Sequence, residues 1–274
     1  MRDLIQRALD EDLGAGDLTS RAVVPEGSLA TGVVIAKTDG VVAGIDVAAA
    51  VFAAVDRELP VEPRAADGDR VAPGDELLTL RGDARAILAG ERVALNLLGQ
   101  LSGVATLTAS YVVAVDGTGT RILDTRKTTP GMRALEKAAV VAGGGTSHRF
   151  GLYDAILVKE NHVRVAGGVA EAARRALAGA PDGVVVEIEV ESLEELDEAL
   201  AAGIGRVLLD NMDPDALRTA VERTAGRAEL EASGGITLDT VRTVAETGVD
   251  FISVGALTHS APALDVSLLF DPEA

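Results

Sequence analysis

The segment DTRKTTPGMRALEKAAVVAGGGTSHRFGLYDAILVKENH, residues 124 to 162, gathers bases in a chain that has few of them. The 274-residue chain carries a net charge of −18, yet from Arg121 to Arg164 eight bases meet four acids, a local excess of four positive charges. Three of the four lysines (Lys127, Lys137, Lys159) and two of the three histidines (His148, His162) fall in this stretch. A positive well in a negative protein is what a small polyanion requires. The plainer alternative is a solvated basic loop, and the Thr, Gly and His residues mixed among the bases argue against it. Arg133 and Lys137, four apart with Glu136 between them, suit either anion steering or a solvated helix face.

These side chains need a frame, and the second half of the chain supplies a pattern for one. From Arg121 onward, Val/Ile/Leu runs alternate with helical segments, which predicts parallel strands buried on both faces. The runs are RILD (121–124), AILVK (155–159), VVVEIEV (184–190), RVLLD (206–210), AELEAS (228–233) and FISVG (251–255). Their C-terminal ends carry Asp124, Thr125, Arg126 and Lys127, then Lys159, Glu160 and Asn161, then Glu189, then Asp210 and Asn211, then Ser233, Gly234 and Gly235, then Gly255. In α/β barrels that edge is where loops converge on a ligand. Period-two alternation puts Glu187 and Glu189 on one side of their strand, and acids there need a cation or a metal. For Glu189 and Asp210 an internal salt bridge with Lys127 or Lys159 is one reading, compatible with a catalytic role. SGGIT (233–237) and SVGALTHS (253–260) each end a strand and open a helix, with backbone N–H groups available to an anion, so Ser233, Gly234, Gly235, Val254, Gly255 and Ala256 are candidate phosphate contacts. The triple glycine at 143–145 reads either as a flexible link or as a helix stop. His162 and His259 are expected at structural or rim positions, because their spacing is not that of a metal site.

The first half reads differently. LATGVVIAKTDGVVAG suggests two strands about an Asp39-Gly40 turn, followed by a helix at about 46 to 57 and further strands around Asp67-Gly68-Asp69 and Pro73-Gly74. A long helical pattern from Ala84 to Val115 joins the halves. The expected fold is α/β: an N-terminal α+β domain (1–103, joined by the tail 263–274) and a six- or seven-stranded incomplete α/β barrel (104–262). Composition excludes several functions. Aromatics are only 2%, and the charge is negative, which disfavours nucleic acid. With no cysteine there is no disulfide framework or thiolate chemistry, which fits a cytoplasmic protein. The N-terminus reads as an acidic amphipathic helix rather than a signal peptide, and no apolar run is expected to reach the roughly 20 residues that span a bilayer.

Over nearly its whole length the sequence resembles the quinolinate phosphoribosyltransferase family. The resemblance rests on EDLGAGDLTS, ERVALNLLGQLSGVAT, the long 124–162 segment, VEIEVESLEE, LLDNM, EASGGIT and VDFISVGALTHS, in the family's order. Ser147 departs from the Asn expected before the His-Arg pair. The resemblance implies that quinolinate and phosphoribosyl pyrophosphate react with Mg²⁺ to give nicotinate mononucleotide, pyrophosphate and CO₂. It implies that Arg92, Thr125, Arg126, Lys127, His148, Arg149 and Lys159 meet the substrates. Glu189 and Asp210 would face the ribose or the metal, directly or through water, and Lys127, Lys159, Glu189 and Asp210 would be catalytic. It also implies a homodimer in which Arg92, with Glu91 beside it, completes the neighbour's site. Two alternatives stand beside it. One is a Schiff-base aldolase using Lys127 or Lys159, which would need a desolvated lysine. The other is a non-catalytic, molybdenum-transport-associated relative, which would be expected to lose part of the cationic set, whereas RKTTPG, HR and KENH are all present.

Overall fold

The computed structural model describes residues 1–272. The N-terminal elements are α1 (Arg2–Leu13), α2 (Leu18–Val23), β1 (Leu29–Ala36), β2 (Gly40–Val41), α3 (Ile45–Val55), β3 (Val61–Pro63), β4 (Arg70–Val71), β5 (Glu76–Asp83) and the long α4 (Ala84–Ala114). Next come β6 (Arg121–Leu123), α5 (Arg133–Ala142), β7 (Ile156–Val158), α6 (Glu160–Ala166), α7 (Val169–Gly179), β8 (Val186–Val190) and α8 (Leu193–Ala201). The chain closes with β9 (Arg206–Asp210), α9 (Pro214–Thr224), β10 (Glu229–Ser233), α10 (Leu238–Ala245), β11 (Phe251–Ser253), α11 (Ala256–His259) and β12 (Val266–Pro272). Two compact units result. One comprises residues 1–109, 129–144 and 260–274, and the other 110–128 and 145–259. Residues 129–144, with α5, therefore group with the N-terminal part and not with the strands that flank them in sequence.

In the first unit β1 is central, antiparallel to both β5 and β12, and β3 adds beyond β5. The alternating burial of LATGVVIA follows from one face meeting the core and the other meeting solvent. Phe52, Leu77, Leu80, Ile87, Leu98 and Leu101 are fully buried there. α4 overturns the expectation that no apolar run is long enough for a membrane, since an 18-residue window in it reaches a mean hydropathy of 1.4. The reason is that it is a core helix, with 56% of that window buried. Its polar groups serve the fold: Ser102 Oγ accepts from Ala43 N at 3.0 Å, Thr106 Oγ1 from Val41 N at 2.9 Å, and Gly99 O from Leu264 N at 2.9 Å.

In the second unit six parallel strands run in the order β6-β11-β10-β9-β8-β7. Read as a ring this is simple chain order, with no ladder at the seam between β6 and β7, so the sheet is an α/β barrel left open at one place. The segment carrying the basic motif leaves at that seam, held to β6 by a bridge between Leu123 and Thr146. The intervening helices begin where the sequence caps them. Ser192 accepts from Glu195 N at 3.2 Å ahead of α8, and Asp213 accepts from Ala216 N at 2.8 Å ahead of Pro214 in α9.

The tail lies so close to α4 that a Cβ on Gly103 would overlap the carbonyl oxygen of Pro262. Gly103→Ala is expected to lower stability by about 1–3 kcal/mol through overpacking. Urea unfolding checks this, and an unchanged midpoint would mean that the tail yields without cost.

Candidate active site

The carboxyl ends of the barrel strands surround a cavity of about 800 Å³. It is lined by Thr125, Arg126, Lys127, His148, Arg149, Lys159, Glu189, Asp210, Ser233, Gly234, Gly235, Val254, Gly255 and Ala256, so the residues singled out in the barrel half meet in one place. Arg92 and Glu91 belong to the other unit, on α4, where Arg92 is 65% exposed and 3.9 Å from Glu91.

After β6, Thr125 Oγ1 accepts from Lys127 N at 3.1 Å, which tightens the turn. The Thr258 hydroxyl donates to Lys127 O at 2.8 Å and ties this turn to α11. Gly255 leaves room beside this turn, since a Cβ there would sit 2.9 Å from Lys127 Cδ and 3.2 Å from His259 Nε2. His259 thus stands on the rim of the cavity, as expected, while His162 Nδ1 accepts from Lys159 N at 2.9 Å and caps α6. Lys159 Nζ meets Glu189 Oε2 at 2.5 Å. An ion-paired lysine that is 47% exposed is not the desolvated amine that a Schiff base needs. Gly234 and Gly235 adopt φ values of 100° and 60°, open to glycine, and turn the chain from β10 toward α10.

Arg126 and Arg149 stand together. Burial and then the Arg126 charge lower the pKa of Arg149, and Arg126 Nε is buried with no hydrogen-bond partner among the described residues. Arg149 Nη1 donates to Ala155 O at 3.3 Å, and paired guanidinium groups beside a cavity have the donor geometry that suits a planar carboxylate. Ser147 is exposed and lies outside the cavity lining.

Beneath this pair lies a buried charge cluster that sequence reasoning recognised only in part. His148 Nε2 is 3.0 Å from Glu187 and 3.4 Å from Glu231. Arg206 closes the cluster at 3.5 Å from Glu187 and 3.4 Å from Glu231, with its guanidinium 4.0 Å over the Phe251 ring. Asp124 Oδ1 accepts from His148 N at 2.9 Å. The alternation that pointed to Glu187 applies equally to Glu231, two residues before Ser233, and would have found it. Arg206 carried no such signal at the start of its strand. Burial works against the imidazolium, but hydrogen bonds and charge from Glu187 and Glu231 prevail, and the pKa of His148 rises from 6.5 to about 9. Arg149 N lies 2.6 Å from Nδ1, which would suit the neutral ring. Two buried carboxylates outweigh one amide dipole, so the cation dominates and that contact must open slightly. Although His148, Glu187 and Glu231 are close enough to share a metal, two cations already balance the two acids there, and a metal would have to displace one. Away from the cavity, Lys137 is buried on α5 beside Glu136, which accepts from Thr129 N at 3.0 Å, so the solvated helix face is corrected. Gly143 ends that helix against Ala105, so the triple glycine begins as a helix stop.

Comparison with known proteins agrees with this geometry. The model of the quinolinate phosphoribosyl transferase N-terminal domain matches residues 17–102, and that of the C-terminal domain matches residues 104–269. The chain belongs to the quinolinate phosphoribosyltransferase family. Within that family it is 46% identical, over 97% of its length and 96% of the relative's, to the nicotinate-nucleotide pyrophosphorylase [carboxylating] of Mycobacterium leprae. It is 43% identical, over 98% of its length and 92% of the relative's, to the probable nicotinate-nucleotide pyrophosphorylase [carboxylating] of Bacillus subtilis. The crystal structure of NadC from Streptococcus pyogenes superposes with a TM-score of 0.95 at 41% identity, covering 100% of this chain and 97% of that one.

With only three histidines in this phosphoribosyltransferase, proton NMR can follow each ring. His148 is expected to titrate near 9, and the stability it contributes is whole below about 6.5 and fades as the pH rises through about 9. A His148 midpoint at or below 6.5 would refute the charged ring.

Proposed function

We propose that this chain transfers the phosphoribosyl group of phosphoribosyl pyrophosphate to quinolinate with decarboxylation, releasing nicotinate mononucleotide, pyrophosphate and CO₂. The observation that carries this is that the Arg126–Arg149 pair and the glycine loops 233–235 and 254–256 line one cavity. One side takes a dicarboxylate, the other a phosphate. The family assignment favours this reaction over the non-catalytic relative.

Quinolinate would lie with its carboxylates on Arg126, Arg149 and Lys159, above the charged His148. The 5-phosphate would rest on the backbone of Ser233, Gly234, Gly235 and Val254–Ala256. As the pyridine nitrogen attacks the anomeric carbon and pyrophosphate departs, the ribose gains oxocarbenium character. Glu189 and Asp210, which line the cavity, would stabilise that charge, and Lys127 the departing pyrophosphate. The donor set fits Mg²⁺: Glu189 and Asp210 offer hard carboxylate oxygens to one cavity and would hold the ion directly or through water. Bound there, it would neutralise charge on the pyrophosphate. In the second step the bond from the ring carbon to the adjacent carboxylate breaks and CO₂ leaves. The electron pair stays on the carbon beside the quaternised nitrogen, and that carbon then takes a proton from solvent.

The protein works as a homodimer in this reading, with Arg92 of one subunit, beside Glu91, completing the neighbour's site. Exposure of Arg92 and its loose contact with Glu91 support an arginine not committed to its own fold. The absence of cysteine fits work in the cytoplasm.

Purified protein given phosphoribosyl pyrophosphate, Mg²⁺ and either quinolinate or nicotinate is expected to form nicotinate mononucleotide from quinolinate alone; product from nicotinate alone, or none, would overturn the assignment. Arg126→Lys is expected to raise KM for quinolinate about 10- to 100-fold through loss of the bidentate contact, with KM for phosphoribosyl pyrophosphate little changed. Arg92→Ala and Lys127→Met are each expected to be nearly inactive, while the mixed dimer regains activity from one intact site. No recovery on mixing would argue against a shared site.

A further inference from the structure

Asn211 follows β9 in a left-handed conformation, φ 55°, which only one other non-glycine residue among those described, Ala225, approaches. Its backbone N–H donates to Ser233 O at 2.8 Å, at the end of β10. Its amide Nδ2 donates to Asp210 Oδ2 at 2.7 Å. A carboxylate would repel the amide oxygen, so the orientation of the amide is settled by charge and Oδ1 turns the other way. There it fills the space that a Cβ on Gly234 would occupy, with the Asn211 backbone nitrogen 3.1 Å from the same point. One side chain therefore touches the carboxylate expected to face the ribose and backs the glycine loop expected to hold its 5-phosphate. Both neighbours line the cavity, as does Asn211 itself.

We propose that Asn211 is a positioning residue that couples Asp210 to the phosphate loop, holding the carboxylate in register with a phosphate bound at Gly234; this rests on the reaction assigned above. The residue type fits the task. Asparagine tolerates the left-handed region better than other side chains, and its amide donates to a carboxylate without adding charge. Glycine would keep the backbone but leave Asp210 without its donor and Gly234 without its backing. Aspartate would keep the shape but set a second negative charge against Asp210.

Asn211→Gly separates the side chain from the backbone. It is expected to keep its unfolding midpoint within about 4 °C of the parent. It should also lose about 10- to 100-fold in kcat, the usual cost of removing a group that orients an acting residue. KM for phosphoribosyl pyrophosphate and the Mg²⁺ concentration for half activation should both rise, with KM for quinolinate unchanged. Asn211→Asp should be slower than Asn211→Gly. Calorimetric binding of ribose 5-phosphate, which needs no turnover, should weaken in Asn211→Gly. Parent-like kinetics and ribose 5-phosphate affinity in Asn211→Gly would overturn the proposal and reduce Asn211 to a backbone role. Inactivity of the parent toward quinolinate would instead overturn the reaction, and ribose 5-phosphate binding would still decide whether Asn211 supports the loop.

Discussion

Two carboxylates buried among parallel strands must be neutralised, and much of the site follows from how this chain does it. Glu187 and Glu231 are 2% and 1% exposed, a placement that costs several kcal/mol per unpaired charge. Arg206 answers them from the neighbouring strand and His148 from the loop that leaves at the open seam. Because the acids need His148, the loop that carries it is pulled onto the strands, and Arg149 comes with it. A backbone bond from His148 N to Asp124 fixes the approach. The cationic wall of the cavity is thus anchored from below by acids that never reach the surface.

Another part of the lining depends on backbone, not on charge. Two strand-to-helix turns, at Gly234-Gly235 and at Gly255, have no side chain where an anion or a neighbour must approach. At Gly255 the neighbour is Lys127, whose carbonyl is held by Thr258, and at Gly234 it is the Asn211 amide. Each glycine loop is therefore packed against a residue from a different strand. The strands supply rigid ends, and the loops supply donors that need no reorganisation when charge develops.

The two sides call for different chemistry from the same strand edge. Where a planar carboxylate is expected, Arg126 keeps a buried Nε with no hydrogen-bond partner among the described residues, beside Arg149. Where positive charge is expected on a sugar, Glu189 and Asp210 face the cavity, and Lys159 partly balances Glu189. Electrostatic complementarity of this kind would separate the dicarboxylate end from the phosphate end of the proposed reaction.

Much of this was legible in the residues. The six apolar runs became β6 to β11 within a residue or two of their expected limits, because uninterrupted Val/Ile/Leu stretches suit only strands covered on both sides. Polar residues at one end of each run had to converge once those strands ran parallel, which is why local reading found Lys127, Lys159, Glu189, Asp210 and the glycine loops. What local reading could not decide depended on contacts between segments distant in sequence. Arg206 looked like an ordinary strand start until Glu187 and Glu231 stood beside it, and Lys137 suited anion steering or a solvated face until α5 turned it inward beside Glu136. α4 is apolar enough for a bilayer, and only its burial in the fold shows it to be a core helix. Periodicity and composition thus determined which elements form and which edge carries the chemistry, since those depend on neighbours along the chain. Which buried charges pair, which ring is held as a cation and which amide orients which carboxylate were decided by tertiary structure alone, because each rests on a partner that sequence spacing does not specify.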